Sequence, residues 1–569
     1  MRYIDVSALK EMFLSGANNL YNHYPEIDQL NVFPVPDGDT GMNMNLTLSS
    51  GAKEIANRPD EDDLYVLASS FSRGLLMGAR GNSGVITSQI FRGFAAATEG
   101  KKHLNSLDLA ACFMAAKEYA YKAVGNPVEG TILTVIREAA TSLNEAVTPT
   151  MSVKDAMGYL VEKAKESLAH TPDLLPVLKE VGVVDSGGAG LVTILEGMES
   201  AIRGKFIVRS AEAEPTANEV VSAYAGAKLS EDEEGYGYCT QFVLRLGGEG
   251  KKPFIERNFK KFLKTHGKSL VTVRDEDIVK VHVHTLLPGH MLNYAQQFGE
   301  FVTITIENMS EEHRNISEGK KATDYNLHGS DKVEEVKQEA PLEFVAEKEI
   351  GFIAVSSGAG LDEMFTELGA DALVSGGQTM NPSTQDFLQA IAKAKCRNVF
   401  ILPNNSNIVM AASQACEVLQ DSEIVARVIP SKTIPQGIAS AGAFNPEATP
   451  DEVYKDMKAA LRHIKSGSVT YAIKDTEISG VNVTKGFYLA MKDKNIVSCV
   501  KDKFAALYDL CESLITPKSA TMTVLCGEDI SEKEEETLMG ELTERYGDSV
   551  EVGILHGGQP VYSFLVGVE

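Results

Sequence analysis

The residues best placed to do chemistry lie in an acidic loop at residues 31–43, with the sequence Asn-Val-Phe-Pro-Val-Pro-Asp-Gly-Asp-Thr-Gly-Met-Asn. Asp37 and Asp39 are separated by one glycine, so both carboxylates can turn toward a single cation. Mg²⁺ takes hard oxygen ligands and usually keeps several waters while it bridges substrate phosphates. Without a metal the two carboxylates would repel a triphosphate, whereas with Mg²⁺ they would position it. The loop therefore predicts a site for a magnesium-bound triphosphate.

Two polar residues follow the aspartates at the start of the next predicted helix. Thr40 and Asn43 would lie near the N-terminus of that helix, which favours anions. A simpler interpretation of a lone Pro-Asp-Gly-Asp is a turn followed by a helix cap, since both are common uses of these residues. The full pattern of residues 31–43 is more specific than that turn and favours the metal site.

A second group of candidate ligands lies near the middle of the chain. In Ile278–Thr285 valines alternate with polar residues, so a strand here would place His282 and His284 on one face and the valines on the other. Cys239 lies in another predicted strand, and one cysteine with two histidines supplies three ligands suited to Zn²⁺. The alternatives are two solvent-facing histidines with an ordinary buried cysteine, or polar contacts at a reaction site or a dimer interface.

Helices are expected to position the acidic loop. Residues 1–205 show apolar residues at helical spacing, interrupted by short glycine-rich segments. This pattern predicts an all-α bundle whose loops at one end carry small residues, where backbone N–H groups could cradle a ligand. No P-loop motif of the GxxxxGK(S/T) type is evident, so a nucleotide would be held in another way.

Three further regions follow the bundle. A small α+β domain is predicted at residues 218–308, and the charged residues 309–345 predict an exposed linker. Residues 346–569 alternate buried-strand candidates with helices, which predicts two α/β lobes, the first of them with a parallel sheet. The loops at 375–384 and 403–407 follow strands, the usual place for a small anion or a partner to bind, although well-capped turns would look the same.

Residues 31–43 closely resemble the acidic loop of the ATP-binding domain of the dihydroxyacetone kinase family, the DhaL or Dak2 type. Essentially the whole chain resembles the catalytic subunits of fatty acid kinases. The resemblance implies a DhaL-like kinase domain at residues 1–205, a middle domain, and a C-terminal domain with the two-lobed DegV-like fold. It implies ATP and Mg²⁺ as ligands. By analogy, the C-terminal domain would dock an acyl carrier rather than hold lipid itself.

Carried over residue by residue, the resemblance implies a catalytic and binding set. Asp37 and Asp39 would bind Mg²⁺, and Asn31 stands nearest to a third metal-binding aspartate of the family, with a one-residue difference in loop length. Arg80 would offset negative charge during transfer. The nucleotide contacts would come from a set of loop residues, of which each loop alone is also typical of a capping turn. They are Thr40, Asn43, Gly81, Asn82, Ser83, Gly84, Thr131, Asp185, Gly187 and Gly188.

The implied reaction is phosphorylation of a fatty acid carboxylate, held by a separate DegV-like fatty-acid-binding protein, to give an acyl phosphate for phospholipid synthesis. A carboxylate is already anionic near neutral pH and needs no general base. One alternative is a small-molecule hydroxyl kinase of dihydroxyacetone type, although the chain shows no recognisable dihydroxyacetone-binding domain. The other is a non-catalytic ATP-sensing scaffold with a structural zinc site. The family also implies a homodimer.

Composition restricts the class of protein. A chain of 569 residues predicts roughly three or four domains. The net charge of -25 argues against non-specific binding to nucleic acid or to anionic lipid, because both need basic patches. No apolar run is long enough to span a bilayer, the N-terminus does not resemble a signal peptide, and 7 scattered cysteines do not resemble a disulfide framework. These features predict a cytoplasmic protein with reduced thiols.

Overall fold

The computed structural model divides the chain into two compact units, Met1–Tyr224 with Ala340–Glu569, and Ala225–Glu339. Among the described helices, none combines the length and the apolar character needed to cross a membrane. The structure describes residues 2–31, 39–56, 61–210, 238–247, 252, 254–266, 268–275, 278–285, 288–308, 342, 344–376, 381–478, 480–493 and 495–569.

The first unit begins with a bundle of α-helices, which confirms the helical prediction for the N-terminal region. Several of these helices begin at side-chain caps, as in the capping box that Asn105 and Asp108 form at the start of the fifth helix. The helices are α1 Val6–Asp28, α2 Thr40–Ala56, α3 Leu64–Gly78, α4 Gly81–Ala96, α5 Ser106–Ala123, α6 Ile132–Ala146, α7 Val153–Leu174, α8 Pro176–Val181 and α9 Ser186–Ile202.

Helix α6 illustrates how the sequence produces this bundle. Ile132, Ile136 and Leu143 are buried, and their spacing places them on one face of a helix with 3.6 residues per turn. Thr131 caps the helix, since its hydroxyl accepts a hydrogen bond from the N–H of Leu133. The apolar face supplies the packing energy, and the cap fixes where the helix begins.

Helices α1 and α9 pack closely because small residues face each other. A β-carbon at Gly197 would lie 2.6 Å from the carbonyl oxygen of Ser15 and 2.7 Å from the α-carbon of Gly16. The hydroxyl of Ser15 donates to the carbonyl of Gly197 at 2.7 Å. The glycines of these helices therefore permit a backbone contact that any larger side chain would push apart.

The second unit is a four-stranded antiparallel sheet in the order β2-β3-β1-β4, with helices between its strands. Phe242, Leu244, Val279, Val281 and Val283 are buried in its core. The predicted alternation of the valines is therefore confirmed. The elements are β1 Tyr238–Leu246, α10 Glu256–His266, β2 Lys268–Asp275, β3 Ile278–Thr285, α11 Pro288–Ala295 and β4 Gly299–Asn308.

The C-terminal region begins with a four-stranded sheet in the order β6-β5-β7-β8, and every pairing is parallel. The predicted parallel α/β sheet is confirmed here. Its elements are β5 Lys348–Ser356, α12 Ala359–Glu367, β6 Ala372–Ser375, α13 Thr384–Ala394, β7 Cys396–Leu402, α14 Val409–Val418, β8 Val425–Val428, α15 Ile434–Gly442 and α16 Pro450–Ala460.

A second sheet completes the C-terminal region in the order β13-β12-β9-β16-β14-β15. Strands β14 and β15 pair in parallel, whereas the other pairings are antiparallel, so this sheet is mixed. A small hairpin, β10–β11, lies beside it. The elements are β9 Lys465–Tyr471, β10 Thr476–Ile478, β11 Val481–Val483, β12 Tyr488–Lys492, β13 Asn495–Val500, α17 Lys503–Leu514, β14 Thr521–Cys526, α18 Glu532–Tyr546, β15 Glu551–His556 and β16 Tyr562–Val568.

The bundle and the C-terminal region share a buried apolar cluster, although they are far apart in sequence. Ala79 and Val85 of the bundle pack in one core with Phe387 and Ile408. Helices α3 and α4 contact α13 and α14 respectively. These contacts bring the first turn of α4 next to loops of the parallel sheet.

Candidate functional site

Asp39 immediately precedes α2, and the start of α4 lies beside the first turn of that helix. Asn43, one turn into α2, is buried with its side chain against Gly81. A β-carbon at Gly81 would lie 2.7 Å from Nδ2 of Asn43. Gly81 also has a φ of +58°, in the left-handed region that glycine adopts without strain. The structure thus brings together the N-termini of α2 and α4, as expected for a site that binds an anion.

The first turn of α2 rests on a buried carboxylate from α1. Oδ1 of Asp28 accepts hydrogen bonds from the N–H of Gly41 at 2.6 Å and of Met42 at 3.3 Å. Burial raises the pKa of Asp28 to about 7, and the two backbone hydrogen bonds act in the opposite direction. A β-carbon at Gly41 would lie 2.3 Å from the carbonyl oxygen of Tyr24, so only glycine lets the two helices approach this closely.

The loop before α4 places the other predicted phosphate contacts. Asn82, Ser83 and Gly84 form the first turn of the helix, and Arg80 in the N-cap position makes no side-chain capping bond to it. A β-carbon at Gly84 would lie 2.4 Å from Oγ1 of Thr47, so α4 packs directly against α2. The role of these residues in holding phosphate stays a prediction.

A second set of predicted nucleotide contacts forms at the N-termini of α6 and α9. The carboxylate of Asp185 caps α9 by accepting from the N–H of Gly188 at 2.7 Å, and it also accepts a backbone hydrogen bond from Ile132. Burial raises the pKa of Asp185 to about 6. Thr131 caps α6, and Gly187 lies against Ile132. These described contacts are those of helix caps, and binding of nucleotide by this set stays a prediction.

A loop of the C-terminal region reaches the acidic loop. Nδ2 of Asn381 donates to Oδ2 of Asp39 at 2.6 Å. The backbone carbonyl of Asn381 accepts a hydrogen bond from Nη1 of Arg80 at 2.7 Å, and the same nitrogen lies 3.6 Å from Oδ2 of Asp386. The guanidinium of Arg80 therefore holds a loop of the C-terminal region in the described structure.

Asp39 and Thr40 open onto a cavity of about 390 Å³ that lies between the bundle and the C-terminal region. The bundle contributes Asn31 and Asn82 as well, and Asn82 donates to Oδ1 of Asn407 at 3.4 Å. The cavity is of the size at which small-molecule pockets begin, about 300 Å³. Its opposite wall mixes polar and apolar residues. The polar ones are Asn405, Ser406, Asn407, Lys432, Thr433, Ser466 and Ser468, and the apolar ones include Ile434, Pro435, Met491 and Leu565.

A lysine from the C-terminal region contacts the start of the acidic loop. The ammonium of Lys474, between β9 and β10, donates to the backbone carbonyl of Asn31. Burial lowers the pKa of this lysine. The contact brings a cation to a loop whose carboxylates would otherwise concentrate negative charge.

The remaining predicted site residues are described only in part or not at all. Asp37 lies outside the described residues. For Cys239, His282 and His284 the backbone alone is described. Cys239 pairs directly with His284 across β1 and β3, and Gln241 pairs with His282. This register places the backbones of the three candidate ligands at neighbouring positions of two adjacent strands.

The donor atoms at the cavity fit Mg²⁺ better than a softer metal. Asp39 and Asn31 line it, and both offer hard oxygen atoms of the kind that Mg²⁺ binds. Within the described residues, no three His, Cys, Asp or Glu side chains group closely enough to hold a metal. Such a group is what a zinc site would require. Asp39 and Asn31 therefore offer oxygen atoms of the kind that Mg²⁺ would bind at this cavity.

The sequence prediction missed two functional candidates, Asp28 and Lys474, and it missed the contact made by a third. Asn381 lies in the loop at 375–384, which the sequence predicts as an anion or partner site, but its contact with Asp39 was not predicted. Asp28 carries no motif signal, since a lone aspartate at the end of a helix is common. Lys474 lies in a turn between two short strands. The Gly-containing loop at 375–384 is the local signal for Asn381, and its contact with Asp39 is visible only in the tertiary structure.

Comparison with protein families matches three regions of the chain. Residues 34–200 match the DAK2 domain. Residues 235–316 match the middle domain of the FakA-like family of fatty acid kinases. Residues 351–569 match the C-terminal domain of the same family. The matches cover the helical bundle from α2 onward, the antiparallel sheet and both sheets of the C-terminal region.

Relatives match over the whole length. The chain is 42% identical to Protein YloV of Bacillus subtilis (strain 168) over 574 residues, which cover 100% of both chains. It is 43% identical to an uncharacterized protein of Staphylococcus aureus (strain USA300) over 562 residues, which cover 98% of both.

Solved structures resemble a part of the chain at low similarity. A DegV family protein from Corynebacterium glutamicum is 13% identical, with a TM-score of 0.30, and the match covers 39% of this chain and 97% of the other. A fatty-acid-binding DegV family protein from Thermus thermophilus is 12% identical, with a TM-score of 0.28 and coverage of 38% and 99%. The family matches and the full-length relatives show that the chain is a kinase of the fatty acid kinase type and belongs to the FakA-like family.

Proposed function

We propose that the chain transfers the terminal phosphoryl group of Mg-ATP to the carboxylate of a fatty acid and releases an acyl phosphate. The observation that carries the proposal is the convergence of Asp39 and the N-termini of α2 and α4 on one cavity of about 390 Å³. Helix N-termini favour phosphate groups, and a carboxylate beside them favours the divalent cation that accompanies ATP. Family membership supports the acyl acceptor.

Phosphoryl transfer to a carboxylate requires the protein mainly to hold the two substrates in the correct positions. An oxygen of the acyl carboxylate forms a bond to the γ-phosphorus, the bond from that phosphorus to the β-γ bridging oxygen breaks, and ADP leaves. The acceptor is already ionised near neutral pH, so no proton has to be removed. Bound Mg²⁺ would supply neutralisation of phosphate charge, and Asp39 with Asp37 would hold it.

Repulsion between the acyl carboxylate and the triphosphate is the main electrostatic barrier. Positive groups that are fixed beside the developing charge lower such a barrier because they need no reorganisation. Lys474 reaches the carbonyl of Asn31, and Lys432 lines the cavity wall. Arg80 lies at the same end of the bundle, where its guanidinium positions the loop at Asn381. We propose that these cations contribute to the field at the transfer site.

We propose further that a separate fatty-acid-binding protein presents the acyl chain. The cavity between the two sheets of the C-terminal region, lined by Val355, Leu361, Asn404, Gln559 and Tyr562 among others, measures about 40 Å³. Pockets that enclose a drug-sized ligand measure about 300–1,000 Å³. As formed by the described residues, this cavity is too small for a long acyl chain. The proposal carries with it a cytoplasmic location and the homodimer that the family implies.

A labelled-phosphate assay tests the acceptor. The full chain is incubated with γ-labelled ATP, Mg²⁺ and oleate, with and without a purified fatty-acid-binding protein, and acyl phosphate is trapped as the hydroxamate. We expect trapped product that depends on the binding protein. Phosphorylation of dihydroxyacetone by the chain alone would instead establish the hydroxyl kinase. Nucleotide binding with no turnover of either acceptor would contradict both activities and favour the ATP-sensing scaffold.

A further inference from the structure

The side chain of Asn381 reaches from the C-terminal region to Asp39 of the bundle. It lies 342 residues from Asp39 in sequence, yet its amide nitrogen lies 2.6 Å from Oδ2 of that aspartate. A carboxylate that binds a metal would be expected to face solvent or substrate, and here an amide from another region covers it. Such a contact is unusual for a carboxylate that binds a metal, and a function of Asn381 would explain it.

The amide oxygen of Asn381 points to that function. Asn381 is 1% exposed, and its Oδ1 has no hydrogen-bond partner among the residues that the structure describes. A buried acceptor without a partner costs about 1–3 kcal/mol, so native proteins rarely keep one that has no role. Because Oδ1 and Nδ2 belong to one planar group, the unpartnered oxygen lies in the immediate surroundings of the Asp39 carboxylate.

The loop that carries Asn381 is firmly attached to the start of α4. Arg80 donates to the carbonyl of Asn381 at 2.7 Å, and the N–H of Thr384 donates to the carbonyl of Ala79 at 3.2 Å. Arg80 and Ser383 form an antiparallel bridge. Ligands of a metal site need such support, since a displacement of about 1 Å is enough to weaken them.

We propose that Asn381 is a residue of the magnesium-nucleotide site, so that the site is complete only when the C-terminal region is packed on the bundle. An asparagine oxygen is a hard ligand of the kind that Mg²⁺ accepts directly or through a bound water. A half-turn of the amide exchanges its oxygen and nitrogen at no steric cost, so the oxygen can face a cation that Asp39 holds. The inference rests on the Mg-ATP part of the proposed function and adds a ligand from a second region.

The test measures how binding of a fluorescent ATP analogue to the full chain depends on Mg²⁺ concentration. Asn381→Ala is expected to raise the Mg²⁺ concentration at half-maximal binding about tenfold, which is typical for the loss of a residue that supports a metal. Asn381→Asp is expected to lie close to the wild type, because a carboxylate oxygen replaces the amide oxygen. Gln414→Met is the matched control. It removes the 3.3 Å hydrogen bond to Ser88 at the same interface but touches neither Asp39 nor the cavity.

Two results would overturn the inference. One is an Mg²⁺ dependence of Asn381→Ala equal to that of Gln414→Met. The other is an Asn381→Asp variant further from wild type than Asn381→Ala. In that case the residue would act only as a donor to Asp39, and two adjacent carboxylates would repel each other with no cation between them. Melting temperatures without nucleotide verify that each variant is folded. The binding measurement needs no acyl acceptor, so a chain that shows the Asn381 dependence but forms no acyl phosphate supports this inference and contradicts the proposed activity.

Discussion

At the scale of single residues, the buried carboxylate of Asp28 is a feature at the start of α2 that the sequence does not predict. It accepts hydrogen bonds from the first turn of α2, and its pKa is raised to about 7 by burial. The group therefore changes charge near neutral pH, directly beneath the helix that Asp39 precedes. Because the folded chain holds the proton more tightly than the unfolded chain, folded-state stability falls as pH rises through this range.

Asp28→Asn tests this behaviour, since asparagine keeps an acceptor for the N–H of Gly41 but cannot ionise. Between pH 5 and pH 8, without metal, the wild type is expected to lose stability relative to the variant by on the order of 2 kcal/mol, given that one pKa unit is worth about 1.4 kcal/mol. Melting temperatures at both pH values provide the measurement. Asp63→Asn, which alters an exposed cap of α3, controls for the loss of one charge. Parallel pH profiles of the wild type and Asp28→Asn would refute the assignment.

Some residues of the site can be recognised from their neighbours in the sequence, whereas others can be recognised only from contacts in the folded chain. The acidic loop can be interpreted from sequence because its aspartates and glycine are adjacent in the chain. Asn381 could not be, since its meaning depends on a contact with Asp39 that only the tertiary structure creates. Asp28 was missed for a related reason: a raised pKa arises from burial, and burial of one polar residue leaves no pattern in sequence.

At the scale of elements, the apolar periodicity of the sequence predicts where helices and strands form. It does not predict the order and direction of the strands in a sheet. The valines of β3 alternate as predicted because a period of two is a local property. The second C-terminal sheet is mixed, with a parallel pairing only between β14 and β15. Strand order and direction depend on connections across the whole domain, which short apolar segments do not encode.

The register of β1 and β3 carries a prediction for the second unit. Cys239 pairs with His284, and His282 lies two residues along the same strand. If these residues hold one zinc ion, metal analysis of the purified chain is expected to give about one zinc per chain, and His282→Ala is expected to lose it. His170→Ala, which changes an exposed histidine on α7, should retain the metal. If the wild type contains no zinc, or if His282→Ala contains as much zinc as the wild type, the zinc site is wrong and a polar cluster is favoured.

At the scale of the whole molecule, the bundle and the C-terminal region form one structural unit. Sequence composition assigns them to separate domains, because a charged segment and a middle domain intervene. The structure joins them through a shared apolar cluster and through polar contacts around Arg80 and Asn381. The cavity beside Asp39 has walls from both, so its shape depends on their packing.

Arg80 is the residue whose replacement should loosen this packing at the site. In Arg80→Ala, hydrogen–deuterium exchange of the segment from Asn381 to Asp386 is expected to rise severalfold, because the segment loses its 2.7 Å hydrogen bond to the guanidinium. Arg92→Ala is the control, since Arg92 lies on the same helix and reaches Glu417 at 4.0 Å, away from Asp39. Unchanged exchange together with slower phosphoryl transfer would show that Arg80 acts on the phosphate instead.

The most direct test of the account is the rate of acyl phosphate formation by Asp39→Asn, with oleate presented by a fatty-acid-binding protein at saturating Mg-ATP. We expect a fall of about a thousandfold relative to wild type, because the substitution removes a fixed charge at the centre of the transfer site. Glu166→Gln, which changes an exposed carboxylate on α7 paired with Lys163, is expected to keep the wild-type rate. A rate for Asp39→Asn within about threefold of Glu166→Gln would contradict the account.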